Sequence, residues 1–392
     1  SIILLNCYLL HAQKTYVPDN NFEQALIDAG YDDALDDSVL TANISGVTSL
    51  NVYSLQISDL TGIEDFILLE ILECANNQLT SLDVSNNTAL THLYCYENGF
   101  TGNQLTSLDV SNNTALTHLE VNGNQLTSLD VSNNTALIWL WCGGNQLTSL
   151  DVSNNIHLDG LYLAFNGLTI LDVSNNTDLT RIDVYGNQLT SLDVSNHTGL
   201  TSIICGANQL TNLDVSNNIA LTELHCNGNQ LTSLDVSANT ALNLLWCSGN
   251  VLTALDVSAN TALIDLRCAN NDLTGLDLSS NTALGILYCY NNALTALDVS
   301  QNTSLAFFGT ENNNITSLDV SANTALVQLR CQNNQLTTLN MRNGVTDSLT
   351  TFYATNNANL TCIETLDPDY ATTNWTNANG NIDEGVTFSV IC

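Results

Sequence analysis

The tripeptide Leu-Asp-Val, or a close variant of it, returns along most of this 392-residue chain at a fixed interval. Its aspartate recurs every 21 residues without a break, at Asp109, Asp130, Asp151, Asp172, Asp193, Asp214, Asp235, Asp256, Asp277, Asp298 and Asp319. Asp83 precedes the series by a longer interval, so one repeat carries an insertion near residues 98–102. A unit this short cannot bury an apolar face alone, and such a chain must stack its units into a solenoid.

Each repeat contains two short segments in which apolar and polar residues alternate. Leu224 and Cys226 fall on one side of the first segment, and Leu234-Asp235-Val236 repeats the alternation further along the same unit. A period of two is typical of a half-buried β-strand. We therefore expect two extended segments in each coil.

The repeat Leu-x-x-Leu-x-Cys-x-x-Asn-x-Leu, followed by Leu-Thr-x-Leu-Asp-Val-x-x-Asn, resembles the 21-residue nested type of bacterial leucine-rich repeat. The resemblance covers residues 47–360, and the early unit at Ile57–Ile63 is similar to the 22-residue unit of internalins. It implies a mainly β, right-handed solenoid of about 14 coils that is secreted or held at the cell surface and recognises a ligand. Because both segments look extended, with roughly equal 4.8 Å spacing, we expect parallel strands on both sides and weak curvature.

The chain before the repeats predicts a targeting segment and a cap. Residues 1–13 are mostly apolar and resemble the remnant of a secretory signal peptide, and no segment is long enough to span a membrane. Residues 14–46 predict an N-terminal cap with a short helix that starts at Asp19 or Asn20 and stops at Gly30. The apolar residues expected to cover the first coil are Phe22, Ala25, Leu26 and Ala29.

Most cysteines occupy one repeat position, at Cys74, Cys95, Cys142, Cys205, Cys226, Cys247, Cys268, Cys289 and Cys331. Because Val121 and Leu163 fill the same position, it requires a small apolar body, and we expect buried, reduced thiols without metal or redox chemistry. Cys362 and Cys392 lie outside this ladder, and a disulfide between them would close a C-terminal cap over residues 361–392.

Asparagine forms two further ladders. The first comprises Asn124, Asn145, Asn166, Asn187, Asn208, Asn229, Asn250 and Asn271. The second comprises Asn113, Asn134, Asn155, Asn176, Asn218, Asn239, Asn260 and Asn281, and is broken by His197. At a turn, a side-chain amide can satisfy backbone groups of its own and of neighbouring coils, so a structural role is expected for both.

The composition limits the classes of molecule that the protein can bind. With 39 acidic and 5 basic residues the formal net charge is −34, which repels nucleic acid and anionic lipid. The hydrophobic fraction of 44% nevertheless supports a buried core. The sequence carries no Gly-x-Ser-x-Gly, His-Glu-x-x-His or phosphate-cradling motif, and a triad made of repeat residues would occur a dozen times over. We expect no enzymatic activity and no cofactor.

The outward positions of the first segment vary from coil to coil while the rest of the repeat stays nearly constant. They predict a ligand-binding face made of Tyr94, Tyr96, Trp139, Trp141, Tyr162, Phe165, Arg181, Asp183, Tyr185, Trp246, Arg267, Tyr288, Tyr290 and Arg330, with Glu120, His225, Asp265 and Phe307 in the same rows. Rows of exposed aromatic residues give large contact area with few rotatable bonds. Cross-strand packing is the alternative role for these rings, but it leaves the shared position of the scarce arginines unexplained.

Two classes of ligand fit such a face. Trp, Tyr and Arg are enriched at protein interfaces, and the resemblance favours a protein partner or adhesion target. The same rings could stack on sugars, so a polysaccharide is the alternative. An ice-binding face is a remote third possibility, because the Ser-x-Asp-x-Ser rows carry charge.

The aspartate ladder carries a separate hypothesis. Its carboxylates should project outward about one strand spacing apart and repel one another. Either hydroxyls and backbone amides relieve the repulsion, or a cation such as Ca²⁺ bridges neighbouring carboxylates and stabilises a structural surface protein. The metal candidates are Asp130, Asp151, Asp172, Asp193, Asp214 and Asp235.

Overall fold

The computed structural model describes residues 12–97 and 102–392. The expected signal-peptide remnant therefore lies outside the described residues except for its last two positions, as does most of the insertion. The chain up to Asp178 forms one compact unit, and Leu179–Cys392 forms a second. Both units are stacks of short coils, and the fold is mainly β.

The N-terminal cap contains a helix that packs against the first coils and a pair of antiparallel strands. Strand β1 (Lys14–Tyr16) pairs antiparallel with β2 (Ser38–Leu40). Helix α1 (Asn20–Asp28) lies between these strands in the chain, and α2 (Thr41–Ile44) follows β2. The Asp19 carboxylate accepts hydrogen bonds from the first backbone N–H groups of α1, as an N-cap residue does.

The buried side of α1 differs from the expected one at two positions. Phe22 and Leu26 are fully buried, and the Phe22 ring stacks on Phe66 with 6.4 Å between centroids. Ala29 is exposed because the helix ends one residue earlier. Glu23 is fully buried instead, since its Oε1 accepts hydrogen bonds from the backbone N–H groups of Asp36 and Ser38.

The first unit carries one parallel strand per coil. These strands are β3 (Ser49–Asn51), β4 (Ile71–Glu73), β5 (His92–Tyr94), β6 (His118–Glu120), β7 (Trp139–Trp141) and β8 (Gly160–Tyr162), with a 3₁₀ turn at Ile63–Asp65. Consecutive strands pair in register, so equivalent residues of neighbouring coils lie side by side. The middle residue of every strand is buried, and its two neighbours point outward.

The second unit continues the pattern and adds a second sheet. Its first sheet contains β9 (Arg181–Asp183), β10 (Ser202–Ile204), β11 (Glu223–His225), β12 (Leu244–Trp246), β13 (Asp265–Arg267), β14 (Ile286–Tyr288), β15 (Phe307–Gly309), β17 (Gln328–Arg330) and β19 (Thr351–Tyr353). The other sheet contains β16 (Ser317–Asp319), β18 (Thr338–Met341), β20 (Cys362–Thr365) and β21 (Thr387–Ser389), and helix α3 (Pro368–Asn374) packs beside its end. With six strands in the first unit and nine in the first sheet of the second, the coils are slightly more numerous than expected.

The second side of the coils is extended, but it is paired into strands only in places. Neighbouring segments pair as β-strands in the sheet that begins at β16, and a single β-bridge joins Asp83 to Asp109. In the coils between them the Leu-Asp-Val segments keep their alternating burial without strand pairing. In paired and unpaired coils alike, each ladder aspartate accepts a hydrogen bond from the backbone N–H of the serine two positions later, as Asp214 does from Ser216 at 2.9 Å.

The two asparagine ladders hold the coils together. The Asn229 Oδ1 accepts a hydrogen bond from Leu210 N, and its Nδ2 donates to the carbonyl oxygens of Cys205 and Cys226, all at 3.0 Å. In the second ladder the Asn239 Nδ2 donates to two carbonyl oxygens of the preceding coil. Both ladders thus have the structural role predicted for them, joining backbone groups of adjacent coils.

The cysteine ladder lies in the core. All nine thiols are free and fully buried, and burial raises the pKa of Cys142 and Cys205 to about 12. A disulfide joins Cys362 to Cys392, whose Cα atoms are 5.8 Å apart.

None of the helices within residues 12–97 and 102–392 has the length and hydrophobicity that a membrane-spanning helix needs.

Candidate functional site

In each unit, the outward side chains at the first and third positions of the strands form a surface that we call that unit's strand face. The strands are β3–β8 in the first unit, and β9–β15, β17 and β19 in the second. The in-register pairing places equivalent residues in rows, one strand spacing apart. Most predicted site residues lie in these rows or in the next outward row, which holds Tyr96, Tyr185 and Tyr290. Phe165 does not: it lies in the turn after β8, at a left-handed φ of 55°, and is 63% exposed.

In the first unit, three aromatic rings come together on neighbouring strands. The Trp139 and Tyr162 rings stack with centroids 5.9 Å apart, and the Trp141 ring lies 4.7 Å from Tyr162 at an angle of 57°. Gly160 makes this possible, because a Cβ at that position would collide with the Trp139 ring. Trp141 remains 36% exposed, so the cluster presents a broad aromatic surface.

Next to this cluster are two stacked histidines that were absent from the predicted site. The rings of His92 and His118 are 4.3 Å apart and nearly parallel, and each Nδ1 lies 2.9 Å from the preceding threonine hydroxyl. Burial, followed by the charge of His92, lowers the pKa of His118. His92 and His118 are separated along the chain by the same interval as Asp83 and Asp109. The sequence alone therefore indicates that the two histidines occupy equivalent positions in neighbouring coils.

The first unit also carries half-buried carboxylates on the strand face. Glu73 and Glu120 flank Tyr94 in the third-position row, and burial raises the pKa of both carboxyl groups. Burial and these two charges also raise the pKa of Tyr94 and of Tyr96. The negative charge is therefore concentrated beside the aromatic rings.

In the second unit the corresponding row forms a closed stack. The His225 and Trp246 rings are parallel, with centroids 3.9 Å apart, and the Arg267 guanidinium carbon lies 3.9 Å from the Trp246 centroid. Arg267 also forms a double hydrogen bond with the carboxylate of Asp265. The His225 Nε2 lies 3.2 Å from Glu223 Oε1, while burial lowers the pKa of His225.

The remaining predicted residues are spread along the second unit. Arg181 is exposed, and burial raises the pKa of Asp183, whose Oδ1 accepts a hydrogen bond from Tyr185 N. The Tyr290 ring meets the Tyr288 ring edge-on at 6.4 Å, and Arg330 lies near enough to Glu311 for its charge to oppose the rise of that carboxyl's pKa. None of these pairs forms a catalytic arrangement of nucleophile and base.

The six aspartates predicted as metal candidates lie along the second side of the coils and are exposed. The side-chain and backbone hydrogen bonds of Ser132 lower the pKa of Asp130, and Ser153 does the same for Asp151. Over the described ranges, no three His, Cys, Asp or Glu side chains are grouped around a common point that could hold an ion.

Comparison with known proteins identifies sequences and structures that are similar to this chain. A family model described as the LVIVD repeat matches residues 159–186, a small part of the chain. The curated protein Internalin J from Listeria monocytogenes serotype 4b (strain F2365) is 37% identical over 73 residues. That alignment covers 19% of this chain and 8% of Internalin J, so the chain corresponds to a small part of that relative's length.

Among solved structures, the functional domain of InlJ from Listeria monocytogenes is similar over most of both chains. It is 36% identical with a TM-score of 0.77, covers 88% of this chain and 82% of its own, and is described as including a cysteine ladder. A plant peptide hormone receptor, RGFR1 in complex with RGF2, is 19% identical with a TM-score of 0.63 and covers 83% of this chain and 60% of its own. At that identity the receptor shows a shared fold alone.

Proposed function

This chain belongs to the internalin-like leucine-rich-repeat proteins, and we propose that it is an adhesion-type recognition protein whose strand face binds a protein partner. Internalins and leucine-rich-repeat interaction domains are binding proteins without catalytic activity, and the chain is not an enzyme. The receptor RGFR1, solved in complex with RGF2, is an example of the same fold with a peptide hormone as ligand.

The observation that carries the proposal is the aromatic cluster of the first unit. Trp139, Trp141 and Tyr162 lie on adjacent strands, are held by stacking and by the absence of a side chain at Gly160, and keep part of their surface exposed. Rings that are ordered before binding lose little conformational entropy on contact. Large aromatic side chains are also the commonest anchors of protein interfaces.

The wider binding face in this proposal includes the rest of the predicted set. It adds Tyr94, Tyr96, Phe165, Arg181, Asp183, Tyr185, Trp246, Arg267, Tyr288, Tyr290 and Arg330. The protein would act outside the cell or at its surface, with residues 14–46 and 361–392 capping the repeats of residues 47–360. Immunodetection of the full chain in medium, surface and cytoplasmic fractions of the source organism tests this location.

The test of the binding face compares two variants of the full chain. Trp139→Ala/Trp141→Ala removes the aromatic surface, whereas Ile170→Ala removes an isoleucine that is 71% exposed but lies outside the strand face. Both are immobilised, and cross-linking to intact target cells followed by mass spectrometry identifies the bound protein. We expect the double variant to lose that protein at least 10-fold and the control to retain it. Equal capture by both would refute the proposed face.

A polysaccharide ligand is the second candidate, favoured by the same partly exposed indole rings, which could stack on sugars. A glycan array with the same two variants distinguishes it. Glycan binding that only Trp139→Ala/Trp141→Ala loses would make the strand face a carbohydrate site. No glycan binding, together with a captured protein, would leave the protein partner as the ligand.

Ca²⁺ bridging along Asp130, Asp151, Asp172, Asp193, Asp214 and Asp235 is the alternative structural role of the second side. One oxygen of each of these carboxylates can bind an ion while the other keeps its serine contact, as in Asp151 and Ser153. If this role is correct, millimolar Ca²⁺ raises the melting temperature and Asp151→Asn/Asp172→Asn reduces the rise. Identical melting in Ca²⁺ and in chelator would eliminate it.

A further inference from the structure

We propose that the first unit's strand face binds a basic side chain, lysine or arginine, from an extended segment of the protein partner. Glu73 and Glu120 would supply the counter-charges, and Tyr94 and Trp141 the rings against which the cation packs. This inference rests on the proposed function, because it names the chemistry of the partner at that same face.

The register brings the four residues into one row. Glu73 pairs with Tyr94, Tyr94 with Glu120, and Glu120 with Trp141 on consecutive parallel strands. At roughly 4.8 Å between strands, the two glutamates are about 10 Å apart across Tyr94. A basic side chain lying over Tyr94 can therefore reach either carboxylate.

These carboxylates lack a cation from their own unit. In the sequence up to Asp178 the only lysine or arginine is Lys14, and its Nζ is bound to Asp36 at 2.9 Å. Neither Glu73 nor Glu120 forms an ion pair within the described part of the chain. The nearby His118 has a lowered pKa, so its imidazole is neutral at pH 7 and supplies no positive charge.

The second unit shows the contrasting arrangement on equivalent strand positions. There Arg267 pairs with Asp265 at 2.9 Å, and His225 lies beside Glu223. Asp265 on that unit's strand face thus has an arginine partner in its own strand, whereas Glu73 and Glu120 have no lysine or arginine partner in the first unit. Half-buried carboxylates have already lost part of their hydration, so an incoming cation gains attraction at a reduced desolvation cost.

The rings of the row complete the recognition site. Tyr94 and Trp141 lie on either side of Glu120, and the face of an aromatic ring attracts ammonium and guanidinium groups. Both rings are partly exposed. A basic residue flanked by apolar or planar groups therefore fits this row better than an acidic or uncharged polar one.

The test uses a fluorescein-labelled heptapeptide of alternating arginine and serine, and its counterpart with glutamine in place of arginine. Fluorescence anisotropy at 150 mM NaCl measures binding to the full chain. We expect saturable binding of the arginine peptide alone, and a Kd at least 10-fold weaker for Glu73→Gln/Glu120→Gln. The matched control, Asp83→Asn/Asp109→Asn, removes the same charge from the second side of the same unit and should change the Kd less than twofold.

Equal weakening by both double variants would show general attraction to the net charge and overturn the proposal, as would absence of saturable binding. Glu120→Gln alone provides a second, milder variant should the double variant unfold, and a melting curve decides this. The proposed function can fail independently. If Trp139→Ala/Trp141→Ala loses the cross-linked partner while the arginine peptide never binds, only the cationic chemistry is refuted.

Discussion

The guanidinium carbon of Arg267 lies over the indole of Trp246, 3.9 Å from the ring centroid. The opposite neighbour of that indole in the row is His225, so the ring is held between an imidazole and a cation. Arg267 is fixed in turn by the Asp265 carboxylate. The stack is therefore a preorganised, internally paired part of the strand face.

Breaking this stack should destabilise the second unit. Arg267→Ala leaves the nearly buried Asp265 carboxylate without its cation, and we expect the free energy of unfolding to fall by about 2 kcal/mol, between the values of exposed and buried pairs. Asp265→Asn combined with Arg267→Ala should recover about half of the loss. Urea denaturation of the single and double variants measures both, and equal losses would show that the pair is not coupled.

The hydrogen bonds of Asn229 and Asn217 predict very different losses of stability when each residue is replaced by alanine. Asn229→Ala removes partners from three buried backbone groups and should cost about 3 kcal/mol. Asn217→Ala removes one hydrogen bond, to Ser195 O, from an exposed residue and should cost below about 0.5 kcal/mol. Denaturation of the two variants, made in the same background, checks the difference. Similar losses would contradict the structural role of the ladder.

The buried thiols should be unreactive in the folded protein. Burial raises the pKa of Cys247 and Cys289 to about 12, and the thiolate is the reactive form. In a Cys7→Ser background, a thiol reagent at pH 8 should label less than one cysteine per chain before unfolding and nine after it. Rapid labelling without denaturant would contradict the ladder's burial.

Binding of the arginine peptide should weaken as the pH falls from 7.5 to 5. Burial raises the pKa of Glu73 and Glu120, so these carboxyls take up protons, and lose their negative charge, at a higher pH than a free glutamate. Tyr94 stays neutral throughout, since burial raises its pKa further above this range.

Anisotropy titrations at half-unit pH steps measure this dependence. Glu73→Gln/Glu120→Gln should bind weakly throughout and show much less change with pH. Tighter binding at pH 5 than at pH 7.5 would contradict the assignment of the two glutamates as counter-charges.

The sequence predicted whatever repeats and failed where a contact is unique. Cys226 and Asn229 were assigned correctly because every coil offers the same environment at their positions. Trp246 and Arg267 are one repeat length apart, which already placed them on neighbouring strands. Phe165 follows the outward position of its coil by one residue, so the regular spacing assigned it to a strand when it lies in the turn.

Two other features depended on contacts that no period encodes. The burial of Glu23 results from backbone N–H groups of Asp36 and Ser38, which are distant in sequence and outside the repeats. On the second side, alternation correctly indicated extended segments. It could not show which of these segments pair with their neighbours, because the Leu-Asp-Val pattern is the same in paired coils, such as that of Asp319, and in unpaired ones, such as that of Asp214.

The side-chain amide of Asn229 forms hydrogen bonds with backbone groups of the coil before it. In the next coil, the amide of Asn250 does the same for the coil that contains Asn229. A deletion or duplication of one whole repeat within the regular stretch would therefore leave every amide facing an equivalent set of backbone groups. The gene can change the protein's length by whole coils without rebuilding the core. The strand face would then gain or lose one interchangeable row of side chains at a time, a direct route to new binding specificity.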